Sequence, residues 1–276
     1  MKIAVIGNCQ VTPLARIFRA ILPDADVDAY EVWQMSPADF RAAGDARPHY
    51  DVIISQPVHA PQYGPLTTDA LRTARSPGQQ LVLIHNIHFE GTLPDSTYVG
   101  KMGKRVPSPM AGYHSRIVLD AYRAGRSLDD CVTAVGQGGG LNPAHMWHAN
   151  MTEFRRRETT IDVPFADQLH SVIKRRRCLH MFNHPSQYLL EQYAAAILTH
   201  ILGNDAPKHA VKLPDLLVAA GVWPVYSWVA EKFSLPYHSN MYVPPRKSGR
   251  KPMTIREFSE KCYDIYATFP KEQLAH

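Results

Sequence analysis

The feature that most constrains the fold is a short apolar run at the start of the chain. Residues 3–6 are consecutively apolar and partly β-branched, and Gly7 ends the run. Such a run bounded by a turn signal is typical of a strand buried on both faces of a sheet. Helix-spaced apolar residues follow from Leu14. Strand, tight turn and helix together predict the first βα unit of an open α/β sheet.

The same alternation continues through about the first ninety residues. Further strands are predicted at Val27–Trp33, Tyr50–Ser55 and Gln80–Ile84, with helices at 14–22, 37–43 and 66–74. Strands that alternate with helices predict a mostly parallel open sheet with helices on both faces.

The rest of the chain is predicted to be mainly helical. Residues 92–109 are loop-like, and helices are predicted at 113–124, 127–135, 143–157, 165–175, 187–202, 214–220 and 255–267. A strand at 177–182 is expected to return the chain to the sheet edge near His184. We therefore predict a single α/β domain, with a sheet core at 1–95 and 176–205, a helical insertion at 96–175 and a helical C-terminal region at 206–276.

Composition narrows the class of protein. The 276 residues are 45% hydrophobic and 20% charged, which is ordinary for a globular chain. We predict neither a secretory signal nor a membrane span. The four cysteines form no C-x-x-C pair, which argues against a disulfide scaffold or structural zinc and favours a reducing cytoplasm. The net charge of +5 suits an anionic ligand, and no nucleic-acid motif accompanies it.

The turn after the first strand allows three interpretations. A dinucleotide site requires Gly-x-Gly-x-x-Gly, and no second or third glycine follows Gly7. Cys9 could instead be a small buried residue. We favour a nucleophile, because a helix N-terminus stabilises a thiolate and lowers the pKa of the thiol. The flanking amides of Asn8 and Gln10 would then hold an oxyanion.

Three polar residues each lie just past the end of a predicted strand: Cys9, Asn86 and His184. If the strands are parallel, all three gather at one edge of the sheet. His184 would then act as the base for the Cys9 thiol; alternatively, it caps the helix that follows. Asn86 and Gln56 either satisfy turn backbones or orient a substrate.

Basic residues suggest where phosphates bind. A glycine-flanked loop carries Lys101, Lys104 and Arg105, and a second basic loop spans 244–252. The arginines at 155–157 and the basic run at 174–177 are interpreted as solvated helix faces. The histidine pairs 85/88 and 145/148 lack zinc spacing, so we predict no metal site.

Four motifs in order give the chain a family resemblance. Gly7-Asn8-Cys9-Gln10, Ser55-Gln56-Pro57, Gly112-Tyr113-His114 and Asn183-His184-Pro185 resemble the WcbI-type proteins of bacterial polysaccharide biosynthesis. The resemblance covers residues 2 to about 205. It implies a coenzyme A-dependent acetyltransferase that acts on capsular sugars, with Cys9 and His184 as nucleophile and base. Acetyl-CoA and a carbohydrate acceptor are the expected partners.

The residues we place at coenzyme A are Gly7, Lys101, Lys104, Arg105, Tyr113 and His114. The chain is also distantly similar to SGNH esterases, with Cys9 in the position of their serine. Residue 181 is Met where those enzymes have the triad aspartate, which leaves Asn183 or a carboxylate elsewhere as the third member. An esterase or thioesterase, and a non-catalytic coenzyme A- or glycan-binding protein, remain as alternatives.

Overall fold

The computed structural model describes residues 1–100, 103–207 and 211–274. The strands are β1 Lys2–Gly7, β2 Asp26–Glu31, β3 Val52–Ser55, β4 Gln80–Leu83, β5 Ser96–Tyr98, β6 Tyr113–Ser115, β7 Leu179–Met181 and β8 His184–Pro185. The α-helices are α1 Val11–Ile21, α2 Pro37–Ala46, α3 Thr68–Thr73, α4 Arg116–Arg123, α5 Leu128–Gln137, α6 Pro143–Glu158, α7 Ala166–Arg175, α8 Gln187–Leu202, α9 Ser227–Phe233 and α10 Ile255–Tyr266. Within the described ranges, every helix is too short or too polar to cross a membrane.

The chain forms two compact units. The first unit comprises Met1–Ile87, Glu153–Leu169 and Pro185–Leu217, and the second comprises His88–Thr152, His170–His184 and Val218–His276. The single domain predicted from the sequence stays a prediction.

The first unit is built on a four-stranded parallel sheet in the order β2-β1-β3-β4. The α/β fold predicted from the alternating pattern is therefore confirmed. The chain leaves β1 toward β2 on one side and continues from β3 to β4 on the other. This makes the boundary between β1 and β3 a topological switch point, where open α/β sheets bind their ligands.

Helices cover both faces of this sheet. On one face, Ala4, Ile6 and Ile53 join a buried apolar cluster with Ala43 of α2 and Leu71 of α3. On the other, α1 buries Leu14, Ile17 and Phe18, and α8 packs against α1. The i, i+3, i+4 spacing in α1 places these side chains on one stripe, which is the reason an amphipathic segment folds here.

The second unit has an aromatic core and a small antiparallel pair, β5 with β6. The carboxylate of Asp95 is fully buried and accepts hydrogen bonds from Trp223 Nε1 at 2.9 Å and the Tyr226 hydroxyl at 3.0 Å. Helices α4, α5 and α10 of the same unit pack against one another.

Four predicted elements of the second half are wrong in part. The helix expected at 214–220 is only a short 3₁₀ turn, Leu217–Ala220. The helix expected at 113–124 begins at Arg116, since residues 113–115 form β6 and Ser115 caps α4. The predicted loop 92–109 contains its partner strand β5, and such non-local pairing leaves little local signal. The strand expected at 177–182 exists as β7, but it pairs with β8 and does not join the parallel sheet. His184 lies in β8, so the expectation that it follows a strand of the same sheet as Cys9 and Asn86 is wrong.

Candidate functional site

The carboxyl end of β1 leads directly into a tight turn. Gly7 ends β1, Val11 begins α1, and residues 8–10 connect them. The side-chain oxygen of Asn8 accepts a hydrogen bond from the Gln10 backbone N–H at 3.0 Å. Cys9 at the centre of this turn is half-buried, whereas the other three cysteines are buried and all four are free thiols. The one partly exposed thiol therefore lies at the switch point.

Gly7 allows the Gln56 side chain to approach this turn closely. Gln56 follows β3, and its Oε1 accepts a hydrogen bond from the Asn8 N–H at 2.9 Å. A Cβ placed on Gly7 would lie 2.4 Å from that oxygen, which is closer than atoms can approach. The absence of a side chain at Gly7 therefore allows Gln56 to pack against the end of β1.

The four amides predicted to orient a substrate come together in one network. Asn8 Nδ2 donates to Asn86 Oδ1 at 2.8 Å, and Gln56 Nε2 donates to Gln10 Oε1 at 3.2 Å. Gln10 also pairs with the Ile87 backbone, donating to its carbonyl at 2.8 Å and accepting from its N–H at 3.1 Å. These bonds link the ends of β1 and β3 to the segment after β4. The amides fix the turn that carries Cys9, and their role at an oxyanion stays a prediction.

The electrostatic surroundings of Cys9 oppose ionisation of the thiol. Burial, followed by the negative charge of Glu31, raises the pKa of Cys9 to about 12. The backbone hydrogen bond of Cys9 acts in the opposite direction but is the smallest contribution. The predicted low-pKa thiol is therefore wrong, because desolvation exceeds the stabilisation that a helix N-terminus offers.

Glu31 ends β2 beside this turn. Its two carboxylate oxygens accept hydrogen bonds from Thr12 Oγ1 and Gln34 Nε2, both at 2.5 Å. Thr12, Glu31 and Gln34 also line an open cavity of about 620 Å³.

His184 lies in β8 and is buried. Its Nε2 lies 3.4 Å from the Tyr113 hydroxyl, which donates its own proton to Asn183 Oδ1 at 2.7 Å. The Tyr113 oxygen can therefore accept from an Nε2–H, which makes Nδ1 the basic nitrogen of His184. That Nδ1 is buried and has no hydrogen-bond partner within the described residues.

Burial, followed by the charge of His180, lowers the pKa of His184 to about 4. The imidazole is therefore neutral near pH 7. The alternative role of His184 as a helix cap is not observed, because Ser186 is the N-cap of α8 and its hydroxyl accepts from the Leu189 N–H at 3.4 Å.

The residues predicted to bind coenzyme A are divided between the two units. Gly7 belongs to the first unit, and Lys104, Arg105, Tyr113 and His114 belong to the second. His114 is fully buried, with Nδ1 2.8 Å from the Tyr266 hydroxyl and Nε2 3.0 Å from the Val106 carbonyl oxygen, so it supports the fold. Lys104 is exposed, and Lys101 lies outside the described residues.

Arg105 is connected to the surroundings of His184. Its guanidinium lies 3.5 Å above the centre of the Tyr98 ring. The Tyr98 hydroxyl accepts from Asn183 Nδ2 at 3.2 Å, and Asn183 in turn accepts from Tyr113. One predicted basic residue and the predicted base thus share a cluster.

One polar residue of the site escaped the sequence analysis. Arg157 was interpreted as part of a solvated helix face, yet it is partly buried and its Nη1 donates to the Asn86 carbonyl at 3.1 Å. Phe154 lies three positions earlier and is fully buried. This spacing places Phe154 and Arg157 on one face of α6, and it is the sequence signal that indicates a partly buried Arg157. Arg156 is exposed and pairs with Glu153, as predicted for a solvated face.

No group of three His, Cys, Asp or Glu side chains in the described part of the chain is arranged to hold a metal ion.

Comparison with known proteins relates this chain to one family. A family model described as the polysaccharide biosynthesis enzyme WcbI matches residues 2–207, which is most of the chain. No curated protein matches. A solved structure of WcbI, described as a novel polysaccharide biosynthesis enzyme, is similar over 99% of this chain and 92% of that chain, with a TM-score of 0.83 and 16% identity. It is described as native protein without a disulfide bond between coenzyme A and a cysteine. At this identity, the similarity shows a shared fold.

Proposed function

Because the chain belongs to the WcbI family of polysaccharide biosynthesis enzymes, we propose that it is an acyltransferase that moves an acetyl group from acetyl-CoA to a sugar hydroxyl. The observation that carries this proposal is the position of Cys9, the partly exposed thiol, at the switch point between β1 and β3. The mention of coenzyme A in the description of the WcbI structure supports the choice of cofactor. We place the protein in the cytoplasm, where its four free thiols would stay reduced.

The residues present fit coenzyme A and a second substrate. An open cavity of about 620 Å³ lies on the β2 side of the Cys9 turn, lined by Thr12 and Glu31 among others. A second cavity, of about 500 Å³, lies on the side of β3 and β4 and includes arginines, whose guanidinium groups suit phosphates. In the second unit, Arg105 is a further candidate phosphate ligand. When bound, acetyl-CoA supplies an acetyl thioester.

In the first half of the proposed reaction, Cys9 Sγ attacks the acetyl carbon and His184 Nδ1 takes the thiol proton. The bond between the acetyl carbon and the coenzyme A sulfur breaks, and His184 returns the proton to the departing sulfur. Because the pKa of Cys9 is about 12 and that of His184 is about 4, the proton leaves Cys9 during the attack and not before it. This is the way serine–histidine pairs work, in contrast to thiolate–imidazolium pairs.

In the second half, a sugar hydroxyl attacks the acetyl group on Cys9. His184 takes the hydroxyl proton, the sulfur–carbon bond breaks, and Cys9 recovers a proton from His184. Tyr113 and Asn183 act as positioning residues, since their hydrogen bonds select the His184 tautomer with a free Nδ1.

Two assays together test this proposal. Titration with coenzyme A measures binding, and coenzyme A release from acetyl-CoA, with and without a panel of glycan acceptors, measures the reaction. We expect His184→Ala to bind coenzyme A normally and to lose roughly 100-fold or more of the transfer rate. His200→Ala, an exposed histidine on α8, is the matched control and should be unchanged.

The same assays separate the alternatives. Equal release of coenzyme A with and without any glycan would identify a thioesterase. Coenzyme A binding without turnover of any kind would identify a binding protein. Absence of coenzyme A binding would contradict the proposal altogether.

A further inference from the structure

A cavity in the first unit is lined by basic and neutral side chains. It has a volume of about 500 Å³ and lies beyond the carboxyl ends of β3 and β4. Three arginines line it, Arg72, Arg156 and Arg157, and so do His59 and His85. None of the described residues that line it is acidic. A cavity of this composition favours an anionic ligand.

Arg157 provides the most strongly desolvated positive charge of this cavity. Its side chain is 27% exposed, and its guanidinium lies 5.0 Å from the centre of the Phe154 ring. Nη1 donates to the Asn86 carbonyl, but Nε is buried and has no hydrogen-bond partner within the described residues. This Nε lies 3.6 Å from Glu153 Oε1, which is beyond hydrogen-bond distance. Guanidinium donors left unused in such a site suit an oxyanion.

His85 adds a second buried group with unused hydrogen-bonding capacity. It is 1% exposed and stacks on Phe154 with ring centres 3.8 Å apart. Its Nε2 lies 3.4 Å from Glu158 Oε1, an oxygen that already accepts from the Phe165 and Ala166 N–H groups. Its Nδ1 has no partner within the described residues. A buried polar atom without a partner costs stability unless a ligand or water satisfies it.

We infer that this cavity binds a phosphate group, with Arg157 as its principal ligand and Arg72 and Arg156 at its rim. Both Arg157 and Asn8 bond to Asn86, so the phosphate site adjoins the turn that carries Cys9. Two substrates could supply the phosphate, coenzyme A or a phosphorylated sugar acceptor. That choice rests on the proposed function, whereas phosphate binding itself does not.

The two rim arginines contribute in a salt-dependent way. Arg156 pairs with Glu153 at 2.6 Å, and Arg72 lies 4.0 Å from Asp69; both arginines are more than half exposed. Exposed ion pairs of this kind are weak and screened by salt. The guanidinium groups can therefore turn toward an incoming phosphate at little cost.

Calorimetric titration with inorganic pyrophosphate at low ionic strength tests the inference without any enzymatic assay. We expect Arg157→Gln to bind pyrophosphate at least roughly tenfold more weakly than the wild type. The matched control is Arg155→Gln, since Arg155 is on the same helix, pairs with Asp167 at 2.9 Å and does not line the cavity. Its affinity should equal that of the wild type.

A double variant protects the test against misfolding. Replacing Arg72 and Arg156 by Gln removes two exposed charges and leaves the Arg157–Asn86 bond in place, so the fold should persist. We expect this variant to weaken pyrophosphate binding and to flatten its salt dependence. If the wild type does not bind pyrophosphate in the millimolar range, or if all variants bind it equally, the inference is wrong.

Coenzyme A titrations then identify the source of the phosphate. If coenzyme A carries it, Arg157→Gln weakens coenzyme A binding by a similar factor, and pyrophosphate competes with coenzyme A. If the acceptor carries it, coenzyme A binds Arg157→Gln normally, and pyrophosphate still binds the coenzyme A-saturated protein. If the protein transfers no acetyl group but binds pyrophosphate through Arg157, the proposed function is wrong and this inference stands.

Discussion

At the scale of single residues, the proposed chemistry depends on how the fold changes the pKa values of Cys9 and His184. Burial raises the pKa of the thiol and lowers that of the imidazole, so both are neutral near pH 7. The sequence places Cys9 correctly after β1, because a strand followed by glycine is a local pattern. It could not predict the raised pKa, which arises from tertiary burial and from Glu31 on the neighbouring strand.

Cys9 should be alkylated slowly at neutral pH, since only the thiolate reacts. We expect the rate of iodoacetamide labelling at Cys9, followed by peptide mass spectrometry, to rise with pH beyond pH 9 without reaching a plateau. Glu31→Gln removes the negative charge that opposes the thiolate and should speed labelling several-fold at pH 8. Asp24→Asn, the same charge change at an exposed residue, should have no effect. Labelling that reaches its plateau below pH 8 would contradict this account.

At the scale of elements, the hydrogen-bonded turn between β1 and α1 holds three segments of the sheet edge together. Gln10 is 1% exposed and satisfies both backbone groups of Ile87. The sequence indicated that these amides follow strand ends. It could not show that they bind one another, since residues 10, 56 and 87 are far apart in the sequence and are brought together by the fold.

Gln10→Leu should therefore destabilise the chain. The substitution keeps the approximate volume but leaves the N–H and C=O of Ile87 buried without partners, at a cost of about 2–4 kcal/mol in the free energy of unfolding. Gln34→Leu is the matched control, because Gln34 is exposed and its side chain bonds to the partly exposed Glu31; its effect should be small. Urea denaturation measures both. Equal stability of the two variants would show that the network is dispensable.

Helix caps show what sequence predicts well at this scale. Ser36, Ser186 and Thr254 directly precede the helices predicted at 37–43, 187–202 and 255–267, and each side chain accepts a hydrogen bond from the backbone N–H three residues later. Capping depends on four neighbouring residues and so is visible locally. The pairing of β5 with β6 joins segments that are separated along the chain, and it was missed. The pairing of β7 with the neighbouring β8, in place of the parallel sheet, was also missed.

At the scale of the whole molecule, two buried histidines tie stability to pH. Burial lowers the pKa of His85 to about 3 and that of His184 to about 4. An unfolded histidine titrates near pH 6.5, so the unfolded chain binds more protons than the folded chain below that pH. Stability is therefore fully present above pH 6.5 and falls as the pH decreases toward the folded pKa values.

We expect the free energy of unfolding to fall by about 2 kcal/mol for each of these histidines between pH 6.5 and pH 5, because each binds a proton in the unfolded chain only. Urea denaturation at the two pH values measures the loss. His184→Gln should reduce the loss by its own share, whereas His200→Gln, at an exposed position, should not change it. An unchanged loss in His184→Gln would show that the pKa of His184 is the same in the folded and the unfolded chain.

The most direct test of the Cys9–His184 reaction is the mass of Cys9 after rapid mixing with acetyl-CoA in the absence of an acceptor. We predict that the Cys9 peptide of the wild type gains one acetyl group within a single turnover, and that His184→Ala gains it roughly 100-fold more slowly. Adding the sugar acceptor should then remove the acetyl group from the wild type. If the wild type acetylates a sugar while Cys9 never carries the group, and Cys9→Ala keeps its activity, Cys9 is not the nucleophile and His184 activates the sugar hydroxyl directly.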